Sequence, residues 1–562
     1  MNSLPRKWLL FLLLAALLLA CGGNNAKPSK KLIGQLHLKS GQLISCGPPD
    51  KEFGTLDFEM SCSDEVKTDF NTAVELLHSF EYDESEKVFA KIIEASPECA
   101  MAYWGVAMCS FHSLWEPPSE ADLKKGTKAL EIANAIARKS KRESDYINAA
   151  ATYYKDWDKT DPDTRSIHFE KAMQQLYSQY PDDKEAAIFY ALALNAAADP
   201  SDKAYTKQKK AGTILNALYT AEPNHPGIVH YIIHTYDYPG IAHLGLSAAR
   251  RYAAVAPSSA HALHMPSHIF TRLGLWDDCI RSNIQSVAAA KCYAEATGIK
   301  GHWDEELHGI DYLVYAYLQK GDNIAASEQL KYLSTIHEVY PVNFKEAYTF
   351  AAVPARIALE NKRWQEAAGL LLQPADFPWN KFPWQEAIIH FARLLGAAHS
   401  GDLSTALLEL VKLNALYSTL QKQKDDYKSK QVAIQIKTGE AWLKFAAGKK
   451  SEALQLMQSA ANMEDSTTKH PVTPGEVLPA RELYADMLLQ MKQYEKALQA
   501  YREVLQKSPN RFNSLYGAGV AAEKLSNMER AIYYYQQLAT IACSTSNRPE
   551  LIAAKLFLKQ HS

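Results

Sequence analysis

The chain lacks an excess of charge of either sign. Its 562 residues carry 61 lysines and arginines against 63 aspartates and glutamates, which gives a formal net charge of −2. Because affinity for nucleic acids depends on clustered positive charge facing the phosphate backbone, this balance argues against a nucleic-acid partner. Alternating apolar and polar runs of strand length are also missing. The sequence therefore predicts an all-α fold.

Several catalytic and cofactor signatures are missing too. The chain contains no His-Glu-x-x-His, no Gly-x-Ser-x-Gly and no Cys-x-x-Cys sequence. Gly448 begins a Gly-Lys-Lys-Ser sequence, but the upstream glycine of a phosphate-binding loop is absent. These absences exclude assignments based on those motifs, and they leave open whether the protein is an enzyme.

The N-terminal residues 1–21 have the pattern of an export signal. Arg6 and Lys7 precede the apolar stretch 8–19, which is shorter than the ~20 residues needed to cross a hydrocarbon core of ~30 Å. The sequence Leu-Leu-Ala-Cys that ends at Cys21 resembles the lipobox of bacterial lipoproteins, which implies that Cys21 becomes the acylated first residue. A plain secretory signal that is cut nearby is the alternative.

The residues that follow Cys21 suit a lipid anchor. Residues 22–31 are small, polar and turn-rich, as expected of a flexible tether to a membrane. No aspartate follows the first mature position, which by the same resemblance favours the outer membrane of a bacterium with two membranes. The predicted location is therefore the bacterial cell envelope.

Cysteines beyond the lipobox raise the question of disulfides. Seven of the 8 cysteines follow Cys21, and an exported protein can form disulfides. Cys62 precedes the first predicted helix pair and Cys99 opens the second, so both lie near the same end of adjacent units. Cys62–Cys99 is the predicted disulfide, and Cys46–Cys62 is the competing pair. The others are predicted to be small core residues, with at least one thiol free or paired between molecules.

From Leu478 onward the sequence repeats with a period of 34 residues. Small residues such as Ala485 and Gly519 occupy positions of close helix crossing, and Tyr501 and Tyr535 recur at a fixed offset. This combination is typical of the tetratricopeptide repeat, a helix-turn-helix unit.

The same period extends upstream, because Pro223 and Pro257 lie 34 residues apart, as do Gly240 and Gly274. We therefore predict a tetratricopeptide-type α-solenoid, a right-handed superhelix with an inner groove. A proline-rich segment interrupts the array, and it is either a linker or part of the groove lining. The predicted segments are a lipoprotein signal peptide at 1–21, a tether and irregular extension at 22–64, a degenerate array at 65–465, the proline-rich loop at 466–477 and C-terminal repeats at 478–562.

Histidines are concentrated in one part of the array. Half of the 18 histidines fall within residues 225–308. Counted from the repeat boundaries, His230 and His234 occupy positions 5 and 9 of one repeat, and His264 and His268 occupy the same positions of the next. In tetratricopeptide repeats these positions face the groove, so the histidine-rich groove is predicted at 225–311.

These pairs are candidate metal ligands. Histidines at i and i+4 lie ~5–6 Å apart on one helix face, and a neighbouring helix at ~8–10 Å can complete the coordination. The candidate metal set is His230, His234, His264 and His268, with zinc or iron as the divalent ion. Asp237, His308 and Asp311 are predicted to face the same stretch of groove. The alternatives are stacked histidines with a structural role, and a site for an anionic small molecule or peptide.

The chain resembles a family of bacterial tetratricopeptide lipoproteins along most of its length. The resemblance is carried by His-Tyr-Ile-Ile-His at 230–234, His-Ala-Leu-His-Met-Pro-Ser-His-Ile-Phe at 261–270, and the segments 311–319 and 470–483. It implies a fold and an architecture rather than a reaction. The site candidates that it carries are His230, His234, Asp237, His264, His268, His308, His470 and Glu476.

Two functions are consistent with these features. The first is a lipid-anchored cell-envelope scaffold that binds a protein or peptide partner in its concave groove. The alternative is a metal-binding protein or metal-dependent enzyme that uses the groove histidines, with the loop from His470 to Glu476 as a lid.

Overall fold

The computed structural model describes residues 27–48, 53–112, 114, 117–468 and 470–561. The predicted signal peptide, with Cys21, lies outside these ranges. Within them the fold is all-α, as predicted, and the strands are limited to one pair of two-residue segments. None of the helices in the described ranges is long and apolar enough to cross a membrane.

The chain forms two compact units. The first unit contains residues 56–197 and the described residues up to 43, and the second unit contains 198–562 together with 44–55. The helices of the first unit are α1 (Lys30–Gly34), α2 (Lys67–His78), α3 (Tyr82–Ala95), α4 (Ala100–Cys109), α5 (Glu120–Ala135), α6 (Lys141–Tyr154), α7 (Pro162–Gln179) and α8 (Lys184–Ala196), with a 3₁₀ turn at Asp64–Val66.

The second unit continues with the same short-loop connections. Its first helices are α9 (Thr206–Tyr219), α10 (Pro226–Tyr236), α11 (Leu246–Val255), α12 (Ala260–His264), α13 (Pro266–Leu273), α14 (Trp276–Thr297), α15 (Asp304–Gln319), α16 (Asn323–Leu333), α17 (Phe344–Glu360) and α18 (Trp364–Ala368). The remaining helices are α19 (Pro383–Ser400), α20 (Leu403–Lys422), α21 (Asp426–Ala446), α22 (Lys450–Asp465), α23 (Ala480–Gln490), α24 (Tyr494–Lys507), α25 (Phe512–Lys524), α26 (Met528–Ile541) and α27 (Pro549–Gln560). Two 3₁₀ turns lie at Ala242–Gly245 and Trp379–Lys381, and β1 (His302–Trp303) pairs in parallel with β2 (Val339–Tyr340).

Within the second unit, helices pack as stacked pairs. Consecutive helices contact each other, and the first helix of one pair also contacts the first helix of the next, as in the series α15, α17 and α19. Each pair cannot bury its apolar face alone, so stacking on the neighbouring pair completes the core.

The repeated glycines and tyrosines have a packing reason. A Cβ atom at Gly517 would lie 2.2 Å from Cζ of Tyr501, and one at Gly519 would lie 2.4 Å from Cε1 of Tyr535. Both tyrosines are buried. The small residues on α25 are therefore required by the aromatic rings of α24 and α26, which explains the period of 34 seen in the sequence.

Two disulfides are present among the described residues. Cys62 is joined to Cys99, as predicted, with a Cα–Cα distance of 5.2 Å. Cys46 is joined to Cys292 on α14, so the competing Cys46–Cys62 pair is wrong, and so is the prediction that Cys292 is a small core residue. The second bridge links segments 246 residues apart, a pairing that depends on tertiary structure. Three described cysteines are free thiols: Cys109, Cys279 and Cys543.

Pro266 breaks the helix that carries the central histidines. α12 ends at His264 and α13 begins at Pro266, with Met265 between them. Because proline has no N–H and its ring clashes with the preceding turn, the chain cannot continue as one regular helix. His264 and His268 therefore lie on either side of the break.

The proline-rich segment 470–479 is mostly buried in the second unit. Tyr312 donates a hydrogen bond to the carbonyl of Val472 at 2.9 Å, and Arg356 donates to the carbonyl of Gly475 at 2.9 Å. Arg272 reaches the carbonyl of Pro474 at 3.4 Å. This segment, which we call the strap, is held by its backbone oxygens and is not an exposed linker.

Candidate metal centre

The second unit gathers six histidines into two groups of three. In each group, the nitrogen atoms able to bind a metal all lie within 4.8 Å of one another. The first triad is His230, His234 and His261, and the second triad is His264, His268 and His308.

The first triad is formed by α10 and α12. His230 and His234 are one turn apart on α10, and their Nε2 atoms are separated by 3.0 Å. His261 on α12 places its Nε2 3.2 Å from Nε2 of His230. His230 is buried beneath the ring of Tyr252, whereas His234 and His261 are half-buried. Three imidazole nitrogens thus converge at a place that retains access to solvent.

The second triad is formed by α12, α13 and α15. The Nε2 atoms of His264 and His268 are 3.1 Å apart across the helix break. The ring of His308 on α15 lies 4.2 Å from the ring of His264, measured between centroids. All three side chains are buried. This group is more enclosed than the first.

Neighbouring side chains fix the tautomers in the second triad. Asn283 on α14 donates from Nδ2 to the carbonyl of Cys279 at 2.8 Å, so its Oδ1 accepts from Nδ1 of His264 at 2.6 Å. Asp237 accepts from Arg272 with Oδ1 and from Nδ1 of His268 with Oδ2, both at 2.9 Å. Each Nδ1 therefore carries the hydrogen, and each Nε2 presents a lone pair.

This arrangement brings two lone pairs face to face. The hydroxyl of Tyr312 lies 3.4 Å from Nε2 of His268, but its hydrogen is donated to the strap at Val472. Two acceptors at hydrogen-bond distance repel unless a cation lies between or beside them. A proton on one Nε2 can serve, and so can a metal ion bound by both.

Burial disfavours the protonated forms. It lowers the pKa of His264 well below its ordinary value, and the positive charge of a protonated His268 lowers it further. Burial likewise lowers the pKa of His308 well below its ordinary value, and the nearby His264 adds to the effect. Metal ligation requires the neutral imidazole, so both side chains are kept in the form that binds metal.

A carboxylate lies beside the first triad. Glu305 on α15 places Oε2 4.0 Å from Nδ1 of His261, while its Oε1 accepts a hydrogen bond from Lys345 at 2.6 Å. Burial opposes ionisation of Glu305, but the Lys345 ammonium holds the pKa of this carboxyl well below its usual range. Glu305 is therefore negatively charged and can orient His261.

Five predicted site residues lie in the triads, and Asp237 orients one of them. The four histidines predicted as one metal set are divided between the two triads, and each half is completed by a histidine outside that set. Two of the set belong to each triad because the break at Met265 turns α13 away from the direction of α12.

Three predicted residues lie away from the triads. Asp311 forms an ion pair with Arg356, and burial raises the pKa of Asp311 to about 6. His470 packs against aromatic rings, including that of Trp384. Glu476 lies 3.5 Å from Lys507; burial opposes its ionisation, but Lys507 holds its pKa at about 2. The strap thus touches the second triad through Val472 and Pro474 rather than through His470 and Glu476.

Sequence analysis missed His261, Asn283 and Glu305 as parts of the site. His261 lies in the histidine-rich segment and one turn before His264, a spacing that could have drawn attention to it. No local signal identifies Asn283 or Glu305, since their roles depend on how α14 and α15 pack against α12.

A family model described as tetratricopeptide repeat matches residues 480–547. The chain contains tetratricopeptide repeats. The match covers α23 to α26, outside the triads. A comparison with curated proteins finds no match.

Similar solved structures are all distant from this chain in sequence. A tetratricopeptide repeat protein from Parabacteroides merdae is 12% identical, with 53% of this chain and 97% of that chain covered and a TM-score of 0.28. Yeast Tom70 is 12% identical, with 88% and 96% covered and a TM-score of 0.32. Similarities of this size transfer no function.

Proposed function

We propose that the protein binds transition-metal ions through its two histidine triads. The observation that carries the proposal is the second triad, where the lone pairs of His264 and His268 face each other at 3.1 Å. Asn283 and Asp237 hold the hydrogens on the opposite nitrogens. Fixing the tautomer through the non-ligating nitrogen is the usual way in which proteins orient histidine toward a metal.

The ligand set restricts the class of metal. Imidazole nitrogens suit zinc, copper, iron and nickel, whereas magnesium and calcium prefer oxygen ligands. Three histidines leave a fourth position for water or substrate, as in catalytic zinc sites. The first triad, which reaches solvent, can exchange such a ligand.

Replacing one ligand in each triad is expected to abolish metal binding. The double variant His230→Ala and His264→Ala removes a central nitrogen from both groups. Wild-type protein loaded with zinc, copper or iron and then desalted is expected to retain metal by mass spectrometry, and the double variant to retain none. The exposed His243→Ala is the matched control and is expected to bind like the wild type. Equal metal in the double variant would refute the proposal, as would a wild type that retains none.

We also propose that the protein is a lipid-anchored scaffold of the cell envelope, probed by its N-terminal sequence and repeats. Stacked helical repeats present extended surfaces that suit a protein or peptide partner. The lipobox-like sequence before Cys21 supports attachment to a membrane, in the outer membrane of a bacterium with two membranes.

Changing Cys21 to serine is expected to release the protein from the membrane fraction, because the thiol that would carry the lipid is lost. Cell fractionation and the mass of the N-terminal peptide measure this, with Cys543→Ser as the control. Cross-linking in intact cells is expected to give a discrete adduct that the anchored protein forms and the released variant does not. A Cys21→Ser protein that stays in membranes with its adduct unchanged would contradict the anchored scaffold.

A further inference from the structure

We propose that the two histidine triads hold a pair of metal ions as one dinuclear centre that binds a small oxygen-donor anion between the ions. The proposal rests on the metal-binding function above and adds the number of ions, their coupling and the class of ligand. It is carried by the way in which the triads share structural elements.

The triads are built into each other. α12 supplies a ligand to each, because His261 belongs to the first triad and His264, one turn later, to the second. α10 supplies two ligands of the first triad, and Asp237 at its end orients His268 of the second. α15 carries His308 of the second triad and Glu305, which lies beside His261 of the first.

The spacing between the triads fits a pair of ions. The rings of His234 and His268 come from different triads and lie 6.4 Å apart between centroids, with an interplanar angle of 64°. A transition metal lies about 2.0–2.1 Å from an imidazole nitrogen. Ions held by these two rings can therefore lie at the ~3.5–4 Å separation of two-metal sites.

The charges call for an anion. All six ligands are neutral when they bind metal, so they cancel none of the charge of two divalent ions. The nearest carboxylates are already paired with cations, Asp237 with Arg272 and Glu305 with Lys345. A hydroxide, carboxylate or phosphate oxygen that bridges the ions supplies the missing negative charge. It enters beside His234 and His261, since these side chains are half-buried whereas the second triad is enclosed.

Copper(II) titration with paramagnetic resonance tests the arrangement. Apo protein is titrated with copper(II) alone, desalted, and analysed for copper per chain and for signal intensity. The variants His234→Ala and His308→Ala each remove a ligand from a single triad. His243→Ala is the control, and His308→Gln replaces the alanine variant if circular dichroism shows that it misfolds.

The wild type is expected to bind two ions whose spins couple, so that the signal falls well below that of two isolated ions. Each single-triad variant is expected to bind about half as much copper and to regain the full signal of an isolated ion. Added azide, a small anion, is expected to change the spectrum of the wild type.

The outcomes separate the two proposals. Absence of bound metal under all loading conditions overturns the metal-binding function and the dinuclear centre together. A single bound ion, or two ions with the full signal of isolated centres, overturns the dinuclear centre and leaves metal binding standing. A wild-type spectrum that is insensitive to azide contradicts the bridging anion.

Discussion

Replacing Arg511 by methionine is expected to lower the free energy of unfolding of the second unit by about 3–5 kcal/mol. Arg511 is fully buried at the start of α25, where it donates to Glu482 at 2.8 and 2.9 Å and to Glu360 at 2.5 Å. Methionine fills similar space but leaves both carboxylates, which are also buried, without their cation. An uncompensated buried charge is what makes such a change costly.

Urea denaturation of the full chain measures this effect. Arg530→Met is the matched control, because Arg530 is exposed on α26 and its loss is expected to change stability by less than about 0.5 kcal/mol. Adding Glu482→Met to Arg511→Met is expected to recover part of the stability, since one of the two stranded charges is removed. If Arg511→Met costs no more than Arg530→Met, the buried ion pairs do not support the stacking of α23, α17 and α25.

The fold was predictable where the same packing recurs at the same spacing. Tyr501 and Tyr535 press against glycines of α25, and this contact forces the sequence to repeat with the period that the repeats show. Periodic contacts of this kind leave a pattern in the sequence. The Cys46–Cys292 bridge recurs nowhere, so no period announces it, and it was not predicted.

The site was predictable in part for the same reason. His230 and His234, like His264 and His268, are spaced by one helical turn, and that spacing is local. The division into two triads depends on the break at Pro266 and on the packing of α15, which is not local. Sequence reasoning therefore found five of the six ligands but joined the wrong ones into one set.

Replacing Asn283 by alanine is expected to weaken metal binding at the second triad by about 10–100-fold, the usual effect of losing a side chain that orients a ligand. Asn283 accepts the hydrogen of His264 Nδ1 and is itself held by the carbonyl of Cys279. Without this acceptor, the His264 hydrogen can move to Nε2, which then carries no lone pair for the metal. Competition with a chelator of known affinity measures the change in the dissociation constant.

Asn283→Asp separates orientation of the ligand from packing. The aspartate keeps an oxygen for His264 Nδ1 and adds negative charge, so it is expected to bind metal at least as tightly as the wild type. Both substitutions remove the Nδ2 hydrogen bond to Cys279, so any loss that comes from that bond affects both alike. If the two variants lose affinity equally, Asn283 acts through that bond and not through the tautomer of His264. If only alanine weakens binding, the lone pair of His264 Nε2 is what the metal requires.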